Sequence, residues 1–169
     1  MELAISLLII AVTGLVVYAI IKTNPAKPMQ LPARPATPYE PALPEGAPAL
    51  HWSDDGRFLV EVVNESRYQA TLKALAGDHG DQPAAAPYLA TLVPDDVNPY
   101  ESAAVAVFLG GRMTGYLSPK ASLTFRALLK HKEIEGKITS CEAQVRGGGV
   151  WQNGRLSYVV VLDMEPLEK

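Results

Sequence analysis

The sequence is poor in the residues that build metal centres and covalent cross-links. It carries one cysteine in 169 residues, Cys141, so no internal disulfide can form. Its three histidines, His51, His79 and His131, are scattered and fit no zinc-ligand spacing. Asp78, His79 and Asp81 can be drawn as a metal cluster, but a polar loop accounts for them without one. A phosphate-binding loop is missing too, because Gly136-Lys137 is followed by Ile138 and lacks the upstream glycine. No internal repeat is visible. With no nucleophile, base and orienting partner in view, the expectation is a protein with no catalytic residues, no metal and no cofactor. Charge excludes little: a formal net charge of −3 gives no global sign of a nucleic-acid partner. Cysteine poverty suits a reducing compartment.

What is present falls into three stretches. Within residues 1–23, Leu3 to Ile21 holds no charged residue; as a helix its 19 residues would span about 28 Å, close to the hydrocarbon core of a bilayer. A cleaved signal peptide is one reading, with Val17-Tyr18-Ala19 as a passable cleavage site. An uncleaved single-pass transmembrane anchor is the preferred one. Glu2, not Lys or Arg, precedes the run, and the run is long for a signal peptide. Lys22, Lys27 and Arg34 follow it, so the positive-inside rule puts an anchored protein in the cell membrane with its C-terminal domain cytoplasmic.

Residues 24–49 are a proline-rich linker, with prolines at positions 25, 28, 32, 35, 38, 41, 44 and 48. Spacing near three suits a polyproline II spacer, which at about 3.1 Å per residue would reach roughly 75 Å. An SH3-type ligand is the alternative, since P-x-x-P recurs beside Arg34.

Residues 50–169 carry the domain. Strand alternation over Arg57–Asn64, a helix over Arg67–Ala76 capped at Glu65-Ser66, and a loop over Gly77–Pro87 come first. Alternating Tyr88, Ala90 and Leu92 then predict a strand. Ser118-Pro119 starts a second helix, with Leu123, Leu128 and Leu129 inward and an end near Lys132. Lys137–Val145 alternates again, making Cys141 a small core residue. Gly147-Gly148-Gly149 turns the chain towards a last strand, Leu156–Met164. The order β-α-β-β-β-α-β-β predicts a mainly β, α+β domain: a small, OB-like, partly open barrel with two helices.

The chain is organised around Leu92–Leu117. Asn98-Pro99 is a turn signal, Ala103–Leu109 a buried strand, and Gly110-Gly111 a two-residue hairpin. Asn98-Pro99-Tyr100-Glu101, Ala104-Val105-Ala106-Val107 and Gly115-Tyr116-Leu117 resemble the central signature of the HIRAN domain, and Val62 to Gln69 resembles its first strand-to-helix motif. The resemblance covers about residues 57–147. Glu101 stands where the family usually has Asp, and Ala103 where Asn is usual. HIRAN domains are associated with binding DNA, in some members through a pocket for a free 3′ end. Carried over, the resemblance implies that Arg67 and Tyr68 contact the backbone and a terminal base. It also implies that Asn98, Tyr100 and Glu101 line the terminal sugar, with the Glu101 carboxylate accepting the 3′ hydroxyl, and that Tyr116 lies near the phosphates. Glu101 would displace the carboxylate by about 1.5 Å relative to Asp.

Local charge adds Lys120. From Arg112 to Lys132 there are five basic residues (Arg112, Lys120, Arg126, Lys130, Lys132) and no acid in 21 positions. Phosphate attraction and a solvated helix face are both open to such a segment. The expectation is a membrane-tethered, non-catalytic nucleic-acid-binding module, with single-stranded DNA or its 3′ ends as partner. The alternative is a tethered protein-interaction module using the same pocket.

Overall fold

The computed structural model describes residues 39–167 and, within the N-terminal apolar run, residues 12–15, 18, 19 and 22. The chain divides into two compact units, Met1–Thr37 and Pro38–Lys169. The described residues of the first unit are helical. Among the described residues no helix is long and apolar enough to cross a membrane. Most of Leu3–Ile21, on which the expected anchor falls, lies outside the described residues.

The second unit runs β1 (His51–Trp52), β2 (Val60–Glu61), a 3-10 turn (Glu65–Arg67), α1 (Gln69–Ala76), β3 (Ala84–Pro94), β4 (Val105–Leu109) and β5 (Arg112–Tyr116). It continues with α2 (Pro119–His131), β6 (Thr139–Gly147), a small hairpin of β7 (Val150–Trp151) and β8 (Gly154–Arg155), and β9 (Tyr158–Leu162). It is a mixed α+β domain built on a curled antiparallel sheet of order β2-β9-β6-β3-β4-β5, with β1 added parallel to the start of β6. The curl brings the two end strands together. Just beyond β2, Val63 N–H donates to Tyr116 O (2.7 Å) and Tyr116 N–H donates to Val63 O (3.0 Å). That single bridge makes the partly open, OB-like barrel of the sequence reading a consistent description.

Alternation explains the two cores. On β4 the residues Val105, Val107 and Leu109 enter the main core, while Ala106 and Phe108 face an outer cluster with Val93 and Met113. Gly110 and Gly111 have φ of 54° and 76°, so they make the tight turn that returns the chain as β5. Leu72 of α1 and Phe125 and Leu129 of α2 complete the main core. Truncating a fully buried Phe such as Phe125 to Ala costs about 3–5 kcal/mol. Cys141 is fully buried, and burial pushes its thiol up to about 12.

Four local expectations are corrected. The strand expected over Arg57–Asn64 is only Val60–Glu61, because the chain before it coils around Asp163. The Asp163 carboxylate accepts the Ser53 hydroxyl (2.9 Å) and the N–H groups of Asp54 (3.2 Å) and Gly56 (2.9 Å), and Asp55 and Phe58 take positive φ. Burial alone would raise the Asp163 carboxyl, but these hydrogen bonds outweigh it and hold it below its ordinary value. The first helix is not capped by Glu65-Ser66: Asn64 in the left-handed region opens a 3-10 turn, and Glu65 reaches across to the Val160 N–H of β9 (2.5 Å). The loop expected to Pro87 gives way to strand from Ala84. This half of β3 pairs with β6 alone, an edge position that tolerates proline. On α2 Leu123 points outward, 61% exposed, and the buried face is Ala121, Ser122, Phe125 and Leu129. Its start is as expected, with the Ser118 hydroxyl accepting the Ala121 N–H (3.1 Å).

Candidate functional site

Residues 95–104 connect β3 to β4 and are braced from within. The Asp95 N–H donates to Ala104 O (2.9 Å) and closes the loop. Asn98 then shapes its crown: Oδ1 accepts the N–H groups of Tyr100 (3.0 Å) and Glu101 (3.2 Å), and Nδ2 donates to Asp95 Oδ2 (3.0 Å). Glu101 turns back to accept the Ala103 N–H (3.3 Å). From α2, Arg126 donates to the carbonyls of Ala103 (3.4 Å) and Ala104 (2.9 Å) and pairs with Asp96. The loop is therefore a rigid extension of the barrel, and Arg126 is engaged in holding it.

Beside this loop stand two expected residues, Tyr68 at the start of α1 and Tyr116 at the end of β5. Both rings pack on the outer cluster of Val93, Ala106, Phe108 and Met113, together with Ile138. The Val63–Tyr116 bridge fixes the strand that carries one ring to the strand that leads into the other. Asp95, only 4% exposed at the start of the loop, acts on the Tyr116 phenol through its charge. Its Oδ1 accepts the phenol O–H of Tyr39 (2.7 Å), a residue of the proline-rich stretch.

These groups sense one another electrostatically. Burial raises the Tyr116 phenol, Tyr68, Asp95 and Tyr39 raise it further, and Arg67 opposes. Tyr68 is raised by burial and by Glu40, against Arg67. Tyr39 is pushed up to about 12 by burial, by its hydrogen bond to Asp95 and by that carboxylate's charge. All three phenols are uncharged hydrogen-bond donors at neutral pH. Together they offer aromatic surface, one buried carboxylate able to accept a hydroxyl, and one exposed cation, Arg67.

The seven expected residues thus divide. Tyr68 and Tyr116 pack on one cluster, Arg67 stands next to Tyr68 in the chain, and Asn98 holds Asp95, whose charge acts on Tyr116. Tyr100 stands 59% exposed on the loop, and Glu101 is folded into the same turn. Lys120 lies elsewhere. It lines a cavity of about 920 Å³ with Trp52, Thr124, Lys132, Glu165 and Leu167, a space bordered by none of the other six. Lys132 Nζ sits 5.7 Å from the Trp52 ring there. Of the basic segment, Arg126 braces the loop while Lys120 and Lys132 line a separate groove.

Two residues of the cluster escaped the sequence reading. Asp95 belongs to an acid pair just ahead of Asn98-Pro99, and Tyr39 is the one aromatic residue between Asn24 and Ala49. Both signals were visible, but neither shows which carboxylate and which tyrosine meet. Among the described residues no group of His, Cys, Asp or Glu side chains is placed to hold a metal. His79 instead contacts Gln82 O and the Tyr158 hydroxyl (2.9 Å). The chain matches no family model, no curated protein and no solved structure.

Proposed function

We propose that this chain is a non-catalytic, HIRAN-like nucleic-acid-binding module on an OB-like barrel, tethered to the cell membrane by its N-terminal apolar run and facing the cytoplasm. Its ligand is single-stranded DNA with a free 3′ end. The observation that carries this reading is the packing of two aromatic rings, Tyr68 and Tyr116, on one cluster at the closure of the barrel, within the electrostatic reach of Arg67 and of the buried Asp95 carboxylate. Stacking on aromatic faces is the sequence-tolerant way to hold unpaired bases. A terminal sugar differs from an internal one by a free hydroxyl, and Asp95 already accepts a hydroxyl, that of Tyr39. In this reading Asp95 takes the 3′ hydroxyl, Asn98 holds Asp95 in place, Tyr68 and Tyr116 meet the terminal bases, and Arg67 meets a phosphate.

End recognition of this kind needs few cations, which agrees with the absence of Lys120 and Arg126 from the cluster. A second reading has its own observation. The segment on this surface is peptide, so a tethered protein-interaction module that takes Tyr-Glu-Pro-like sequences would use the same residues.

The test is fluorescence anisotropy with labelled oligothymidylates at two salt concentrations, comparing free 3′ hydroxyl, 3′-deoxy and duplex ends. Binding by the intact chain that weakens on 3′ deoxygenation and in Tyr116→Ala supports the reading. Salt-sensitive binding indifferent to the end reduces it to a generic basic surface. If neither the intact chain nor its Tyr39→Phe variant binds at low salt, the nucleic-acid reading is wrong, and a labelled Tyr-Glu-Pro peptide becomes the probe.

A further inference from the structure

The proline-rich stretch is more than a spacer at residues 39–41. Tyr39 is half-buried and Pro41 buried, whereas Glu40 between them and every residue from Ala42 to Ala49 is exposed. Burial at alternate positions of an extended segment means that one edge of it lies against the domain. Among the described linker residues, burial is confined to this short segment. The chain then runs exposed until Ala49 N–H donates to Ile138 O (2.8 Å) and Leu50 O accepts the Ser140 N–H (2.9 Å), where β1 begins.

The far end of this segment is held by one directional bond. Tyr39 donates its phenol proton to Asp95 Oδ1, and Asn98 occupies Oδ2, so both carboxylate oxygens are engaged while the segment is seated. The same Asp95 is the group that the proposed function assigns to the ligand. Pro38 and Pro41 flank the contact and limit the conformations open to the free segment, which lowers the entropy lost on seating it.

We infer that residues 39–41 form a built-in strap that occupies the nucleic-acid site, with Tyr39 in the place of the terminal nucleotide, so that ligand and strap compete for Asp95. This rests on the reading of the Tyr68–Tyr116 surface as the binding site. Competition makes the resting protein a weak binder, because apparent affinity falls by the fraction of molecules with the strap released. Losing one hydrogen bond to a charged acceptor shifts such an equilibrium by roughly tenfold or more. The strap lies within the linker, eight residues before its end, so whatever holds or pulls the linker also sets access to the site.

Two measurements on the intact chain test this. The first is anisotropy with a labelled oligothymidylate bearing a free 3′ hydroxyl, where Tyr39→Phe should bind about tenfold tighter than wild type. The second is the rate at which chymotrypsin cuts after residue 39, Tyr or Phe, each normalised to its rate on the same sequence as a free peptide. That rate should be slow in wild type, faster in Tyr39→Phe, and faster in wild type when oligonucleotide is added. Equal affinity and equal cutting in wild type and Tyr39→Phe would overturn the strap. If neither protein binds oligonucleotide yet Tyr39→Phe is still cut faster, the strap stands as a cover and the nucleic-acid reading fails. If both bind equally while only cutting changes, the strap is seated but does not compete, and the inference is wrong.

Discussion

Gly115→Ala should open the barrel. Gly115 has φ +153°, and a Cβ added to it would lie 2.4 Å from Val62 Cγ1 and 2.5 Å from Val63 O. Val63 O is backbone and is one acceptor of the bridge that joins the ends of the sheet, so it cannot yield without losing that bridge. The two bridge hydrogen bonds are worth about 1 kcal/mol each. The unfavourable φ adds about 1–2 kcal/mol. Val62, 1% exposed, must repack at a further 1–3 kcal/mol or so. The sum, about 4–7 kcal/mol, rivals the whole stability of an ordinary domain, about 5–15 kcal/mol.

Gly111→Ala is the control. Gly111 also has a positive φ of 76°, but nothing lies within 4 Å of the position an alanine methyl would take, so only the backbone penalty of about 1 kcal/mol applies. Thermal melts followed by circular dichroism on the intact proteins should show Gly115→Ala at least about 10 °C below Gly111→Ala. Tyr116→Ala should not reproduce the loss in full, because its backbone still makes the bridge. If Gly115→Ala and Gly111→Ala melt together, the sheet does not close at Val63, and the placing of Tyr68 beside Tyr116 loses its physical basis.

Other groups make separate predictions. Burial pushes Glu65 up to about 7, against the hydrogen bond from Val160 and with Glu61 adding to the rise. Its folded pKa exceeds its unfolded value of 4.5, so the folded state holds the extra proton and stability falls as pH rises from about 4.5 to about 7. Glu65→Gln keeps an acceptor for Val160 and should raise urea stability at pH 8 by roughly 2 kcal/mol, allowing for partial exposure, while leaving pH 4 nearly unchanged. A wild-type stability that is flat across this window would contradict the placement of Glu65. Arg126→Lys should destabilise by about 2 kcal/mol despite keeping the charge, because a single ammonium cannot serve both loop carbonyls and Asp96. Faster proteolysis within 95–104 should accompany it; an unchanged melt would mean the loop is held some other way. Cys141, buried and raised to about 12, should resist a thiol reagent at pH 8 until the protein unfolds, so labelling in urea should follow the unfolding curve.

Much of the fold was legible because its signals are local. Alternation at Tyr88–Leu92, 103–109 and 137–145 located the central strands, Gly110-Gly111 their hairpin, and Ser118-Pro119 the second helix. The failures share one cause. Asp163 recoils residues 53–58 from more than a hundred positions away, Glu65 is drawn from a capping role to β9, and Leu123 lost its inward place to Phe125. Each outcome depends on a partner distant in sequence, which a reading of periodicity cannot weigh. The candidate site divides along the same line. The residues themselves determined that a rigid, polar turn with an aromatic neighbourhood lies between Leu92 and Leu117. Only the tertiary structure decided that Tyr68 and Tyr116 pack on one cluster there, that Lys120 lies elsewhere, and that Asp95 holds Tyr39. The reason is the curl of the sheet, which brings the ends of β2 and β5 together at one bridge and turns separations of about fifty residues into contact.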